Sequence, residues 1–145
     1  MKVLRIHAKD TIHIRQQMLR EGRPASECVF DGDEEEQTFH LGAFDEKKLV
    51  SVASFYFEKH PTLDEPYQYR LRGMATLPDY QHKGLSSALL KTAFPIIKKN
   101  LCGLVWCNAR ETARGFYEKV GFKTIGEPFN IETVGVHSLM MKALD

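Results

Sequence analysis

One segment of the chain, from Leu71 to Ser87, contains residue types suited to binding a diphosphate. A strand-like stretch leads into a short loop, and the loop leads into a helix whose first turn contains Gly84, Ser86 and Ser87. The start of a helix presents unpaired backbone N–H groups and a partial positive charge, and both favour an anion. Glycine permits close backbone approach, and the hydroxyls add donors. The segment therefore indicates a diphosphate site, although many ordinary helices begin in this way.

The spacing in this segment excludes two common nucleotide-binding loops. GxxxxGK[ST] is absent, because Lys83 precedes Gly84, and GxGxxG is absent as well. The stretch Gln81–Ser86 resembles instead the (Arg/Gln)-x-x-Gly-x-(Gly/Ala) signature of the GCN5-related N-acetyltransferase (GNAT) superfamily, with serine at its last position. In that superfamily a strand-ending Asn and a Phe-Tyr-x-x-x-Gly-Phe helix form the far wall of the acetyl-CoA site. The similar residues here are Asn108 and Phe116–Phe122.

A closer resemblance, to the bacterial glyphosate N-acetyltransferase group within that superfamily, extends over nearly the whole chain. The similar stretches are Phe39–Gly42, Val52–Phe55, Gln68–Leu77, Trp106–Arg110 and Val134–His137 with Leu139–Met140. The chain departs from the group at Glu21-Gly22, where a proline is expected, and in the Phe129–Thr133 loop. Both departures lie where an acceptor could be held, so the resemblance leaves the identity of the acceptor open.

The resemblance implies that acetyl-CoA is the co-substrate. Backbone groups of Met74–Leu77 are expected to pair with the pantetheine arm as an additional strand, and a free N–H there would polarise the thioester carbonyl. The loop and helix start are expected to bind the pyrophosphate. The implied acetyl-CoA-binding residues are Met74, Ala75, Thr76, Leu77, Gln81, His82, Lys83, Gly84, Leu85, Ser86, Ser87 and Asn108. No metal site is expected, because the other histidines share no ligand spacing.

Two residues are expected to move protons. Tyr117 is the predicted general acid, because a phenol of pKa ~10 can protonate a departing thiolate. His137 is the predicted general base, because imidazole can take a proton from an acceptor ammonium near pH ~7. It is expected just before the last strand, and the resembled family uses a histidine there. Transfer is expected to be direct, since no nucleophile with a partner is evident and Cys107 lies in mid-strand.

Three arginines, Arg20, Arg72 and Arg110, are the predicted acceptor-binding residues. The planar guanidinium matches a carboxylate or a phosphonate. Three of them in one pocket would be costly without an anionic ligand. The resemblance therefore implies a small amine with an acid group, either an amino acid or an aminophosphonate-like compound of the glyphosate type. Arg70 and Arg114 are weaker candidates.

The elements that must position these residues follow in the order β-α-β-β-β-α-β-α-β-β. Strands are predicted at 3–7, 38–44, 49–57, 68–76, 104–109, 123–126 and 138–144, and helices at 10–19, 84–100 and 112–120. Pro95 is expected to kink or end the second helix. The strands on either side of that helix are expected to be parallel, joined by a right-handed crossover. The prediction is one α/β domain over residues 1–145 with the GNAT fold, a mixed, mostly antiparallel sheet with a central splayed parallel pair flanked by helices.

Composition excludes several classes of protein. The 20 Lys and Arg residues against 19 Asp and Glu give a net charge of +1, which argues against a nucleic-acid partner. No apolar run reaches the ~18 residues of a membrane span, and a cytoplasmic protein is expected. Cys28, Cys102 and Cys107 match no zinc spacing and are expected to be buried, reduced thiols. The acidic run Asp31–Glu36 is interpreted as a solvated turn.

The predicted function is direct transfer of an acetyl group from acetyl-CoA to the amine of a small anionic acceptor. Two alternatives stay open. An enzyme of the same fold that acetylates a protein or peptide amine is expected to have a shallow acceptor groove. A non-catalytic acetyl-CoA-binding module is expected to bind acetyl-CoA without turnover. The sequence does not distinguish a monomer from a homodimer.

Overall fold

All seven strands of the chain lie in one sheet in the computed structural model, which describes residues 1–145. The strands are β1 (Lys2–Ile6), β2 (Phe39–Asp45), β3 (Lys48–Phe57), β4 (Gln68–Thr76), β5 (Leu104–Arg110), β6 (Lys123–Ile131) and β7 (Gly135–Ala143). Their order across the sheet is β1-β2-β3-β4-β5-β7-β6. Only β4 and β5 are parallel neighbours. The predicted mixed sheet with a parallel central pair is confirmed.

Three α-helices connect the strands, and none of them is long and apolar enough to cross a membrane. They are α1 (Ile12–Met18), α2 (Leu85–Lys99) and α3 (Arg114–Lys119). Pro95 was expected to kink or end the second helix; it does not end it, because α2 continues through Pro95 to Lys99. Proline removes the hydrogen bond to the carbonyl four residues earlier, at Lys91. Both residues are exposed, so water can reach that carbonyl.

The last hairpin is longer than predicted, and His137 lies inside β7 rather than before it. The pairing of β6 with β7 shifts register between Ile125 and Phe129, where Gly126 and Pro128 lie. Such an irregularity breaks the alternation that identifies a strand in a sequence. On its other side β7 pairs regularly with β5, and His137 is paired with Arg110 there.

The parallel pair β4–β5 separates soon after it begins. Only Gln68, Tyr69 and Arg70 of β4 pair with β5, although β4 continues to Thr76. Beyond Arg70 a bulge interrupts the pairing of β4 with β3, and Gly73 in this bulge has φ +65°. The separation confirms the expected splay, and it leaves the edge of β4 that faces β5 without a partner strand.

The two faces of the sheet differ in chemistry. The main core is apolar, and α2 contributes Leu85, Leu89, Leu90, Ala93 and Ile97 to it. The three cysteines are buried and unpaired. Ser54 of β3 and Arg72 of β4 are directly paired, as are Tyr56 and Arg70, so these polar side chains share one face. Arg70 and Arg72, two of the arginines considered for acceptor binding, therefore lie on a polar face of the sheet.

Replacing Leu101 by Gly should stabilise the protein. Leu101 follows α2, is 83% exposed and has φ +63°, a conformation that is unfavourable for any residue with a Cβ. Its N–H bonds to Lys98 O and the next N–H bonds to Ile97 O, the Schellman pattern in which glycine is preferred. We expect a gain of about 1 kcal/mol, a rise in Tm of about 2–4 °C by calorimetry. Leu101→Ala keeps the Cβ and is the control; an equal Tm for the two variants would contradict the argument.

Candidate active site

Two adjoining cavities open where β4 leaves β5, and Met74 and Leu19 line both. The first cavity has a volume of about 600 Å³ and is called the arginine cavity here, because Arg20, Arg23, Arg70, Arg72 and Arg110 line it. The second has a volume of about 440 Å³ and is called the helix-start cavity, because the first residues of α2 line it. Ligands in the two cavities would meet at Met74.

Most of the predicted acetyl-CoA-binding residues line the helix-start cavity. They are Met74, Ala75, Thr76, Gln81, His82, Gly84, Leu85, Ser86 and Ser87. Gly84 is the N-cap of α2, has φ +80° and has open space where a side chain would be. The backbone N–H groups of the first helical turn therefore face a space that a ligand can enter. Phe116, from the helix expected to form the far wall of the acetyl-CoA site, also lines this cavity. Met18, Leu19 and Tyr80 line it as well and were not singled out in the sequence.

Three predicted acetyl-CoA-binding residues lie outside the lining of that cavity. The Leu77 side chain is buried in the core, and its N–H donates to Val50 O at 2.9 Å, so it has no free N–H for a pantetheine arm. Lys83 is exposed, and its Nζ lies 5.6 Å from the centre of the Tyr80 ring. Asn108 lines the arginine cavity, where its buried Oδ1 has no hydrogen-bond partner.

The arginine cavity contains no acidic side chain to balance its charge. Its lining includes five arginines and His137 but no Asp or Glu. Burial, together with the positive charges of Arg70 and Arg20, lowers the pKa of Arg72 below its ordinary value. The protein therefore disfavours the charge of this guanidinium, and an anion in the cavity would relieve the repulsion.

The predicted acceptor arginines differ from the weaker candidates in their ion pairs. Arg20, Arg72 and Arg110 all line the arginine cavity and make no ion pair. Arg70 also lines it but pairs with Glu58 at 3.3 Å. Arg114 pairs with Glu111 and lies outside the cavity.

The His137 ring is 4% exposed and lines the arginine cavity. Its Nδ1 lies 2.8 Å from the carbonyl oxygen of Gly135. A carbonyl only accepts, so Nδ1 bears the hydrogen and the neutral ring has its lone pair on Nε2. The Phe129 ring stacks on the imidazole, with 6.2 Å between the ring centres. The sequence therefore folds to place a histidine with a defined tautomer beside Arg110.

The Tyr117 hydroxyl lies at the junction of the two cavities. It is 4.0 Å from the sulfur of Met74, one of the two residues that line both cavities. Burial, together with the neighbouring Cys107 thiol, raises the pKa of Tyr117 well above its usual value. The phenol therefore keeps its proton and can act as a donor but not as a base at neutral pH.

A buried ion pair beneath the arginine cavity escaped the sequence prediction. Arg15 is fully buried and binds Asp33 through two hydrogen bonds of 2.7 and 3.0 Å. The interpretation of Asp31–Glu36 as a solvated turn is therefore wrong for Asp33, although its acidic neighbours are exposed. The Asp33 carboxylate also accepts from Tyr56 Oη at 2.5 Å and from the backbone N–H of Phe30 at 2.9 Å. In the sequence, Arg15 stands out only because it follows the apolar Ile14 on a short helix, and nothing there indicates that Asp33 is its partner.

Residues 7–122 match the model of the acetyltransferase (GNAT) family. The chain belongs to the GNAT family. It is 41% identical over 144 residues to an uncharacterized N-acetyltransferase, YitI, of Bacillus subtilis (strain 168), covering 99% of this chain and 97% of that protein. This GNAT protein is accordingly an acetyl-CoA-dependent N-acetyltransferase.

Solved structures show the same fold as this GNAT enzyme at low sequence identity. An aminoglycoside 6'-N-acetyltransferase complexed with coenzyme A has a TM-score of 0.80 at 13% identity, covering 100% of this chain and 98% of that one. The ribosomal-protein-S18-alanine N-acetyltransferase of Escherichia coli has a TM-score of 0.74 at 19% identity, covering 99% and 94%. The predicted GNAT fold is confirmed, and at these identities the likeness concerns the fold alone.

Replacing Asp33 by Asn should destabilise the enzyme by about 3–5 kcal/mol at pH 7, because Arg15 would remain charged and buried without its partner. Burial opposes ionisation of Asp33, but bonds from Arg15, Tyr56 and the Phe30 N–H outweigh it and lower the pKa of Asp33. A lowered folded-state pKa means that the stabilisation is present above the unfolded-state pKa of ~3.9 and is lost as the pH falls through the folded-state value.

Urea unfolding of the wild-type enzyme and of Asp33→Asn between pH 7 and pH 2 checks the predicted loss of stability. The difference in unfolding free energy should shrink below about pH 4. Glu35→Gln is the control, because it makes the same change of charge at an exposed position of the same acidic run. It should change the free energy of unfolding only slightly. A difference that is independent of pH would contradict the role of the ionised carboxylate.

Proposed function

We propose that the chain, acting as one domain over residues 1–145, transfers an acetyl group directly from acetyl-CoA to the amine of a small anionic acceptor. The acceptor class is an amino acid or an aminophosphonate-like amine, as the resemblance to the glyphosate N-acetyltransferase group implies. The observation that most supports this class is the lining of the arginine cavity, which includes no acidic side chain. Of its five arginines, Arg20, Arg72 and Arg110 make no ion pair.

The donor is proposed to lie along β4 and over the start of α2. The free edge of β4 beyond Arg70 has backbone groups that can pair with the amides of the pantetheine arm. Backbone groups of Met74, Ala75 and Thr76 are the nearest to the cavity for this pairing, whereas the Leu77 N–H is occupied. The pyrophosphate would lie against the loop of Gln81–Gly84 and the first turn of α2, where helix N–H groups favour an anion.

The acceptor is proposed to lie in the arginine cavity with its acid group toward Arg20, Arg72 and Arg110. Guanidinium groups bind carboxylates and phosphonates through paired hydrogen bonds. The acceptor amine would then face Met74, where the thioester of a bound donor would end. His137 lines the same cavity, and the lone pair of its Nε2 would take the ammonium proton before attack.

The amine nitrogen then forms a bond to the thioester carbonyl carbon, and the carbon–sulfur bond breaks. Tyr117 would give its proton to the departing thiolate. Burial keeps the phenol protonated until that step, but its raised pKa also makes it a weaker acid, so the transfer depends on the thiolate forming in the same buried surroundings. Cys107 is a poor candidate for an acyl-enzyme intermediate, because burial raises the pKa of its thiol to about 12. This supports direct transfer.

A thiol-release assay with acetyl-CoA tests the acceptor class. Acidic amines such as aspartate and aminomethylphosphonate should be acetylated, whereas their amides, neutral esters and short neutral peptides should be poor acceptors. Arg72→Gln should lower kcat/KM for the acidic amines by about 10- to 100-fold, since a hydrogen bond between charged groups is lost.

Arg114→Gln is the matched control, because it removes the same charge outside the cavity. It should leave kcat/KM unchanged. A preference for peptides over acidic amines would favour the protein or peptide acetyltransferase instead, and no dependence on Arg72 would contradict the proposed acceptor site.

Removing either proposed proton-transfer group should slow turnover. His137→Ala and Tyr117→Phe should each reduce kcat by about 10²- to 10⁴-fold, the usual contribution of acid–base catalysis. The dissociation constant of CoA, measured by calorimetry, should change little, because neither side chain lines the helix-start cavity.

The exposed residues His13 and Tyr67 provide matched controls. His13→Ala and Tyr67→Phe make the same chemical changes at residues that line neither of the two cavities, and they should retain full turnover. Near-normal kcat in His137→Ala or Tyr117→Phe would remove that residue from the mechanism.

A further inference from the structure

We propose that Phe30 is a positioning residue, whose ring orients Arg20 and Arg72 toward the acid group of the acceptor while the buried Arg15–Asp33 pair holds the ring in place. This inference rests on the proposed anionic acceptor. Phe30 has no reactive group, and its ring lines the arginine cavity with 7% of its surface exposed.

Three guanidinium groups lie over the ring of Phe30. The Cζ atoms of Arg15, Arg72 and Arg20 lie 3.9, 4.5 and 5.3 Å from its centre. The negative face of an aromatic ring attracts a cation within about 6 Å. The ring therefore stabilises positions of Arg20 and Arg72 that their mutual repulsion would otherwise oppose.

The backbone and the ring of Phe30 are both fixed by the buried ion pair. The Phe30 N–H donates to Asp33 Oδ2 at 2.9 Å, and Arg15 binds the same carboxylate. Arg15 also donates to Cys28 O at 2.9 Å and to Ser54 Oγ at 2.8 Å. The segment that contains Phe30 is thus tied to α1 and to β3, and the ring has little freedom to move.

The backbone of β4 approaches this ring closely at Gly73. A Cβ at that position would lie 3.1 Å from Cε2 of Phe30 and 3.4 Å from Nε of Arg15. Glycine at the bulge therefore permits the contact, in addition to its positive φ. Since Arg72 precedes Gly73 in the chain, the same bulge brings the Arg72 guanidinium over the ring.

The charges of this cluster differ in what they can bind. Arg15 has its partner in Asp33, whereas Arg20 and Arg72 have no carboxylate within ion-pair distance. The Phe30 ring is within cation–π distance of the paired Arg15 and of the two unpaired arginines. An aliphatic side chain would fill the space but would not attract the guanidinium groups.

Calorimetric titration with phosphonoacetate, an anion without an amine, tests the inference on the full-length enzyme with CoA bound. Phe30→Leu should weaken phosphonoacetate binding by about 5- to 30-fold, the loss expected for two cation–π contacts. CoA affinity should be unchanged. In assays with an accepted acidic amine, KM for the amine should rise while kcat and KM for acetyl-CoA stay close to the wild-type values.

Replacement of Phe30 by phenylalanines with increasing ring fluorination keeps the shape and withdraws charge from the ring face. Binding of phosphonoacetate should weaken stepwise in that series, which a purely packing role would not produce. It also provides the test if Phe30→Leu does not fold. Unchanged binding across the series would overturn the inference alone. No binding of phosphonoacetate by the wild-type enzyme would contradict the proposed anionic acceptor, and this inference with it.

Discussion

The separation of β4 from β5 after three paired residues is the constraint on which both cavities depend. In the parallel pair the strands diverge, so the backbone groups beyond Arg70 can be satisfied by a ligand instead of a strand. The chain then turns directly into α2, whose first turn lies beside the same opening. The separation of β4 from β5 thus places an open strand edge next to the start of α2, the two places proposed for the pantetheine arm and the pyrophosphate.

The arginines near the polar face of the sheet differ in whether they have an ion-pair partner. Arg15 is fully buried and binds a carboxylate, two backbone or hydroxyl oxygens and the Tyr56 hydroxyl, so its charge is used within the protein. Arg20, Arg72 and Arg110 have no such partner. A guanidinium without a carboxylate near other cations is unfavourable in the free enzyme. An anion of the proposed class would relieve this repulsion on binding, whereas Asp33 is already occupied by Arg15 and by the Tyr56 hydroxyl.

Local patterns in the sequence predicted the parts of the fold that depend on local physics. The predicted bounds of β4, 68–76, agree with the structure, and the predicted end of the third helix at residue 120 lies one residue beyond the observed end at Lys119. The Arg15–Asp33 pair could not be predicted in this way, since the two residues are 18 positions apart and Asp33 lies within a run of otherwise exposed acids. The length of the β6–β7 hairpin was underestimated, because a bulge between Ile125 and Phe129 interrupts the alternation of apolar and polar residues that identifies a strand. Phe30 gave no signal, because its proposed role depends on Arg15 in α1, Arg20 just after α1 and Arg72 in β4, which only the fold brings together.

The net charge of +1 describes the whole chain and says little about the field inside the arginine cavity. The acidic residues that balance the arginines lie largely on exposed positions, such as Glu34, Glu35 and Glu36. Salt screens such charges beyond about 8 Å at physiological ionic strength. The guanidinium groups that line the cavity act at shorter range and across partly buried space, where screening is weaker. A chain can therefore be nearly neutral, avoid non-specific binding to polyanions and still concentrate one small anion beside the thioester.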